Sequence, residues 1–185
     1  MDEKDTMRQS MLAARRSHAD AQGGEAAALT EHAEKMLGHY IAAYLPIGGE
    51  IDPRPLMQAL RRQGSAICLP VCADDEAAMI FRCYCEGDAL IPDEMGNAAP
   101  RATAQQVTPD IVLLPLLAFD GTGNRLGRGG GFYDRTLAKL RRVGACRFIG
   151  LAFDMQMVDK CTVEPHDEAL HGVATPTQWH DFDGN

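Results

Sequence analysis

Residues 111–119 constrain the fold more than any other stretch of this chain. Ile111, Val112, Leu113, Leu114, Leu116, Leu117, Ala118 and Phe119 follow one another with only Pro115 among them. A strand with one wet face alternates apolar and polar side chains. An unbroken run is the pattern of a strand covered on both faces, as in a parallel sheet between helical layers. Gly121, Gly123, Gly127, Gly129, Gly130 and Gly131 come next, with Arg125 and Arg128 among them. Tyr133, Leu137 and Leu140 then recur at helical spacing up to Gly144, a helix stop. Strand, glycine-rich loop and helix start together present backbone N–H groups to an anion, most often a phosphate.

The loop is not one of the two best-known phosphate loops. Gly131 is followed by Phe132 rather than Lys, and Gly121-Thr-Gly123 is followed three residues on by Leu126. It is either a phosphate cradle of another make or a flexible turn. Two arginines set among glycines that permit close backbone approach favour the cradle.

The rest of the chain repeats the strand–helix alternation. Residues 2–20 read as a helix with Met7, Met11 and Leu12 as its apolar stripe; Gly23-Gly24 breaks it and a second helix covers 25–37. Strands are expected at 40–45, 66–71, 79–85 (a possible sheet edge), 146–153 and 172–175. Asp52 and Pro53 are a helix start, and Gly64 is its stop. Asp154 caps a short helix through residue 158. Residues 86–109 hold Pro92, Pro100 and Pro109 with little periodicity, and read as a long loop of functional or mobile character. Alternation with short connections predicts an α/β fold, a three-layer α/β/α Rossmann-like arrangement with a mostly parallel central sheet. At 185 residues the chain is expected to be a single domain.

Charge narrows the function. A formal net charge of −8 argues against nucleic-acid binding. An acidic protein with an anionic ligand must gather its few cations locally, so each Arg and Lys is informative. The six cysteines lack zinc or redox spacing and read as reduced thiols of a cytoplasmic protein. No apolar run is long enough to span a bilayer, and residues 1–5 carry neither signal nor transit features.

Several polar residues have two readings. Lys4 and Arg8 stand at i and i+4 on one helical face: a solvated basic face, or a grip on a polyanion. Arg15 and Arg16 read as surface charges. Glu50 follows a strand at the edge where open α/β sheets bind ligands; it is a loop charge or an acceptor for an N–H-rich ring. Asp134 suits the helix dipole, and Asp167 is an ordinary loop carboxylate; beside a phosphate loop, such a pair can hold Mg²⁺. His166 is a poor Mg²⁺ ligand and reads as a neighbour.

Phe119-Asp120 followed by Gly123-Asn124-Arg125-Leu126-Gly127-Arg128-Gly129-Gly130-Gly131-Phe132-Tyr133-Asp134 resembles the signature of the 5-formyltetrahydrofolate cyclo-ligase (5,10-methenyltetrahydrofolate synthetase) family. The resemblance implies an ATP- and Mg²⁺-dependent ring closure giving 5,10-methenyltetrahydrofolate, ADP and phosphate. By resemblance, ATP is bound by Lys4, Arg8, Arg125, Leu126, Gly127, Arg128, Gly129, Gly130, Gly131, Phe132 and Tyr133. Leu45, Glu50 and Tyr133 meet the folate, Arg128 and Tyr133 serve the chemistry, and Asp134 and Asp167 hold the metal. The expected partners are 5-formyltetrahydrofolate, free or polyglutamylated, and ATP, with the protein acting as a monomer. Relatives often carry Glu-Pro where Ala99-Pro100 stands; some have Lys at Gly130 and Tyr at Phe132. The missing lysine places more of the charge burden on Arg128 and the metal. Two other classes fit the pattern: an ATP-independent sugar-phosphate isomerase or CoA-transferase-like enzyme, and a non-catalytic nucleotide-binding module.

Overall fold

The computed structural model describes residues 3–18, 22–74, 77–144 and 146–182. An eight-stranded sheet carries the fold. Its strands are β1 (Tyr40–Ala42), β2 (Ala66–Val71), β3 (Ile80–Cys83), β6 (Gln106–Val107), β7 (Ile111–Pro115), β10 (Arg147–Leu151), β11 (Gly172–Ala174) and β12 (Trp179–Asp181). They lie in the order β12-β11-β10-β7-β1-β2-β3-β6. The five inner strands β11, β10, β7, β1 and β2 are parallel, and β12, β3 and β6 add antiparallel pairs at the two sides. The mostly parallel three-layer fold expected from the sequence is the one observed.

β7 lies near the centre, and its side chains explain the unbroken apolar run. Ile111 and Leu113 join a core with Leu29, Met36, Leu56 and Leu60 on one face. Val112 and Leu114 join Leu137 and Leu140 on the other. The first face is covered by α2 (Gln22–Ala28), the 3₁₀ segment Leu29–Met36 and α3 (Arg54–Arg62); the second by α4 (Phe132–Val143). Burying such side chains contributes about 1.5–3 kcal/mol each, so β7 anchors both cores. α1 (Glu3–His18) packs separately, with Met11 in a small cluster with Leu117, Ala118, Leu126 and Cys161.

The structure corrects several boundaries. The apolar run is not one strand. β7 ends at Pro115, and β8 (Ala118–Phe119) pairs antiparallel with β9 (Arg125–Leu126), so a hairpin intervenes before the glycine loop. Leaving a sheet strands backbone carbonyls without ladder partners, and here side chains satisfy them. Gln156 donates to the carbonyls of Leu116 and Leu117, and Arg15 to that of Leu116. Gly23-Gly24, where a break is expected, lies inside α2, and residues 19–21 lie outside the described residues. The second helix is half α and half 3₁₀, and the first strand is three residues rather than six. Asp52 caps from one position further out, its Oδ1 accepting the Arg54 N–H at 2.9 Å. β3 is not an edge, because β6 pairs outside it. Residues 86–109 are not structureless: β4 (Leu90–Pro92) and β5 (Ala98–Pro100) form a second hairpin, with Ala99 buried in it.

Candidate functional site

Two pockets open at the C-terminal ends of the parallel strands, and the glycine loop 127–131 walls both. The larger has a volume of about 480 Å³ and is lined mainly by apolar groups such as Leu45, Leu69, Met79, Pro115 and Phe132. The smaller, about 80 Å³, is bounded by Lys4, Arg8, Arg125, Asp134, Glu164, His166 and Asp167. An apolar cavity with a few convergent polar groups, joined to a charged cleft, suits a ligand with a flat ring system beside an anion.

The loop between them is shaped by its glycines. Gly129 and Gly131 have φ of +98° and +67°, a region that side-chain-bearing residues adopt at a cost. Gly131 sits immediately before α4, so the loop delivers the chain to a helix N-terminus, where N–H groups lack intrahelical partners. A Cβ at Gly129 would lie 3.5 Å from the Arg8 guanidinium carbon, which shows how closely α1 lies on the loop. Arg8 Nε also donates to the Gly127 carbonyl at 3.3 Å.

In the small pocket cations and carboxylates are matched. Lys4 is buried, its Nζ 2.6 Å from Glu164 and 2.7 Å from Asp167. Burial works to lower its pKa, but the two carboxylates outweigh this and hold the ammonium above its ordinary value. For Asp167, burial acts upward and is overcome by Lys4 and the Glu164 N–H, leaving the carboxyl below its usual range. Asp134 Oδ1 takes Arg125 at 2.6 Å and the Glu168 N–H at 3.3 Å. Arg125 also donates to the Glu168 carbonyl. Among the described residues Glu164, His166 and Asp167 have ligand atoms within 4.8 Å of one another. Of these, the Glu164 and Asp167 carboxylates are the oxygen donors that Mg²⁺ takes and His166 is not, while Asp134 lies outside the group with its Oδ1 on Arg125; the Lys4 ammonium already stands between the two carboxylates.

The large cavity has a carboxylate at its wall. Glu50 is 5% exposed; its Oε2 accepts the Ile47 N–H at 3.1 Å, and its Oε1 is 3.8 Å from Arg128. Burial pushes its pKa up, against the Ile47 N–H and the charges of Arg15 and Arg128. Tyr133, on the first turn of α4, also lines the cavity, and burial pushes its phenol well above the ordinary value, so it is a neutral hydroxyl. The β4–β5 turn overhangs with Asp93, Gly96 and Asn97; Asp93 fastens it by accepting the Cys72 N–H at 2.9 Å.

Of the residues singled out in the sequence, Leu45, Glu50, Arg125, Arg128, Phe132, Tyr133, Asp134 and Gly127, Gly129, Gly130 and Gly131 border the large cavity. Lys4, Arg8 and Asp167 border the small one, which Asp134 shares. Leu126 does not face either: its side chain is fully buried behind the loop. A Cβ at Gly130 would meet the Phe132 ring at 3.0 Å, so a larger residue there requires that ring to move.

Sequence reasoning missed Arg15, Glu164 and the β4–β5 turn. Arg15 is 1% exposed rather than a surface charge. Its signal was available, since Lys4, Arg8, Met11 and Arg15 recur at helical spacing on one face of α1. Glu164 stands three residues before Asp167 and could have been paired with it.

The chain matches the 5-formyltetrahydrofolate cyclo-ligase family over residues 1–176. It is 36% identical over 148 residues to the 5-formyltetrahydrofolate cyclo-ligase of Escherichia coli, covering 77% of this chain and 81% of that protein. With the 5-formyltetrahydrofolate cyclo-ligase of Mycolicibacterium smegmatis it shares 35% identity over 184 residues, 94% of this chain and 93% of the relative. The fold superposes on the NMR structure of Aquifex aeolicus 5,10-methenyltetrahydrofolate synthetase with a TM-score of 0.82 at 20% identity, covering 100% of this chain and 95% of that one. This chain is therefore a member of the 5-formyltetrahydrofolate cyclo-ligase family.

Proposed function

We propose that the protein converts 5-formyltetrahydrofolate to 5,10-methenyltetrahydrofolate at the expense of ATP, releasing ADP and phosphate. The observation that carries this reading is the shared wall. One glycine loop separates a cavity of about 480 Å³, large enough for a reduced pterin, from a small charged cleft suited to phosphates. Family membership supplies the reaction class.

A formamide oxygen is a poor leaving group and must be activated before N10 displaces it. The γ-phosphoryl passes from ATP to the formyl oxygen, ADP departs, and an iminium phosphate remains. N10 attacks the formyl carbon, loses its proton, and the oxygen leaves within inorganic phosphate. Phosphoryl transfer asks the protein chiefly for alignment and for positive charge around the migrating group. Arg128 extends from the loop into the large cavity's wall, where it is 3.8 Å from Glu50 with half of its side chain exposed, and it would follow that charge. Lys4 and Arg8 hold the phosphates from α1, and loop N–H groups contribute from the other side. Glu50 accepts hydrogen bonds from the pterin edge, and Tyr133 donates its neutral hydroxyl where folate and nucleotide adjoin. Mg²⁺ held by Asp134 and Asp167 would neutralise phosphate oxygens when bound. Lys4, which stands between Glu164 and Asp167, would have to give up one of these carboxylates to meet a phosphate oxygen.

The test follows methenyl absorbance with 5-formyltetrahydrofolate, with and without Mg-ATP. Product only in the presence of both nucleotide and metal is expected. Product without nucleotide would instead indicate the ATP-independent class, and nucleotide binding with no product would indicate a sensing module.

A further inference from the structure

Arg15 is the least expected residue of the site. Its guanidinium is 1% exposed, yet it borders the large cavity. Nη2 donates to the Gly48 carbonyl at 3.0 Å and Nη1 to the Leu116 carbonyl at 3.3 Å, while Nε has no hydrogen-bond partner among the described residues. A buried unpaired N–H costs about 1–3 kcal/mol, and burying the charge costs more. An apolar side chain of similar length would fill the same slot without either cost. What an apolar residue could not supply is a positive charge near Glu50.

The geometry points that way. Gly48 is two residues before Glu50, in the turn whose Ile47 N–H holds the Glu50 carboxylate. Glu50 shares its cavity wall with Arg15 from α1, Arg128 from the glycine loop, Tyr44 just beyond β1 and Tyr133 from α4, and their charges act on one another. Tyr44 is committed elsewhere, donating to the Ile51 carbonyl at 2.7 Å. Arg128 is half exposed at 3.8 Å, so water screens it. Arg15 is the sealed cation of the set.

Building on the folate reading above, we infer that Arg15 is a positioning residue for Glu50. It ties α1 to the turn bearing that carboxylate and supplies a buried positive charge that favours Glu50 as an ionised hydrogen-bond acceptor. The consequence is a link between the two halves of the site, because the same helical face carries Lys4 and Arg8 toward the phosphates.

Arg15→Gln retains an N–H donor for Gly48 and removes the charge; Arg15→Lys retains the charge. The first measurement is a ¹³C NMR titration of the Glu50 carboxyl in ligand-free protein. The Gln variant is expected to titrate about one pH unit or more above wild type, the scale of a close charge, and the Lys variant near wild type. The second is the pH dependence of kcat/KM for 5-formyltetrahydrofolate. Because the acceptor must be ionised, activity is lost as pH falls through the Glu50 pKa, so the acid limb moves upward in Arg15→Gln and returns in Arg15→Lys. If Arg15→Gln does not fold, Arg15→Met, which leaves no unpaired donor, takes its place in both measurements. Glu50 titrating identically in wild type and the neutral variant, with only thermal stability lowered, overturns the inference and reduces Arg15 to a brace. The carboxyl titration needs no substrate: lack of methenyl product from wild type would sink the folate reading by itself, and an unmoved Glu50 would sink this one by itself.

Discussion

Asp120 shows how much one side chain of the signature can do without touching a ligand. It is 2% exposed and accepts five hydrogen bonds: Oδ1 from the Thr122 N–H and hydroxyl and the Asn124 N–H, Oδ2 from the Asn124 amide and the Cys161 N–H. Burial acts to raise its pKa, but these donors prevail and hold it below the ordinary carboxylate value of 3.8. A group depressed in this way contributes stability that is complete above its unfolded pKa and is lost as pH falls through its folded pKa. Asp120→Ala is expected to lower stability by about 3 kcal/mol at pH 7, since hydrogen bonds to a charge count for more than neutral ones. Urea unfolding should further show a flatter decline below pH 4 in the variant than in wild type. Equal slopes in that range would mean that Asp120 is not the titrating group. The sequence displayed Asp120 beside the glycines, but not that its partners lie as far off as Cys161.

At the scale of elements, the glycine loop and α4 form one unit. Gly131 has a left-handed backbone at the last position before the helix, and a Cβ there would approach Arg135 Nη1 at 2.5 Å. The guanidinium can move aside, so the lasting cost of Gly131→Ala is the backbone, about 1–2 kcal/mol. At Gly127 a Cβ would meet open space, and the backbone is not left-handed. Thermal unfolding should therefore separate the two alanine variants, with Gly131→Ala lower and Gly127→Ala near wild type. Similar melting points would remove strain as the reason for glycine at 131. The helix and the loop were legible in the sequence because helical periodicity and clustered glycines are local signals. The β8–β9 hairpin was not: once Ile111 to Phe119 are buried on all sides, hydrophobicity carries no mark of where the chain leaves one sheet for another. Nor was the β4–β5 hairpin, whose short strands are held by Asp93 and by packing on β2.

Taken whole, the molecule carries a net charge of −8 and yet directs Lys4, Arg8, Arg15, Arg125 and Arg128 to one end of its sheet. Such focusing draws in anions against the overall charge, and salt weakens it where cations remain exposed. Arg128, half exposed, pairs with the cavity's carboxylate Glu50. Arg128→Ala is expected to cost roughly 2–4 kcal/mol of transition-state stabilisation, the scale of a preorganised electrostatic donor. The variant should also flatten the rise of the ATP KM between low and high ionic strength; a salt response equal to that of wild type would place the steering elsewhere. The sequence by itself determined the α/β layering, the doubly covered strand and the glycine-rich loop before α4, since each is written in local periodicity and spacing. Only the tertiary structure decided which charges meet. Lys4 reaches Asp167 across 163 positions and Arg15 seals beneath Gly48 across 33, pairings set by how α1 lies on the sheet and by the cost of burying a charge without its partner.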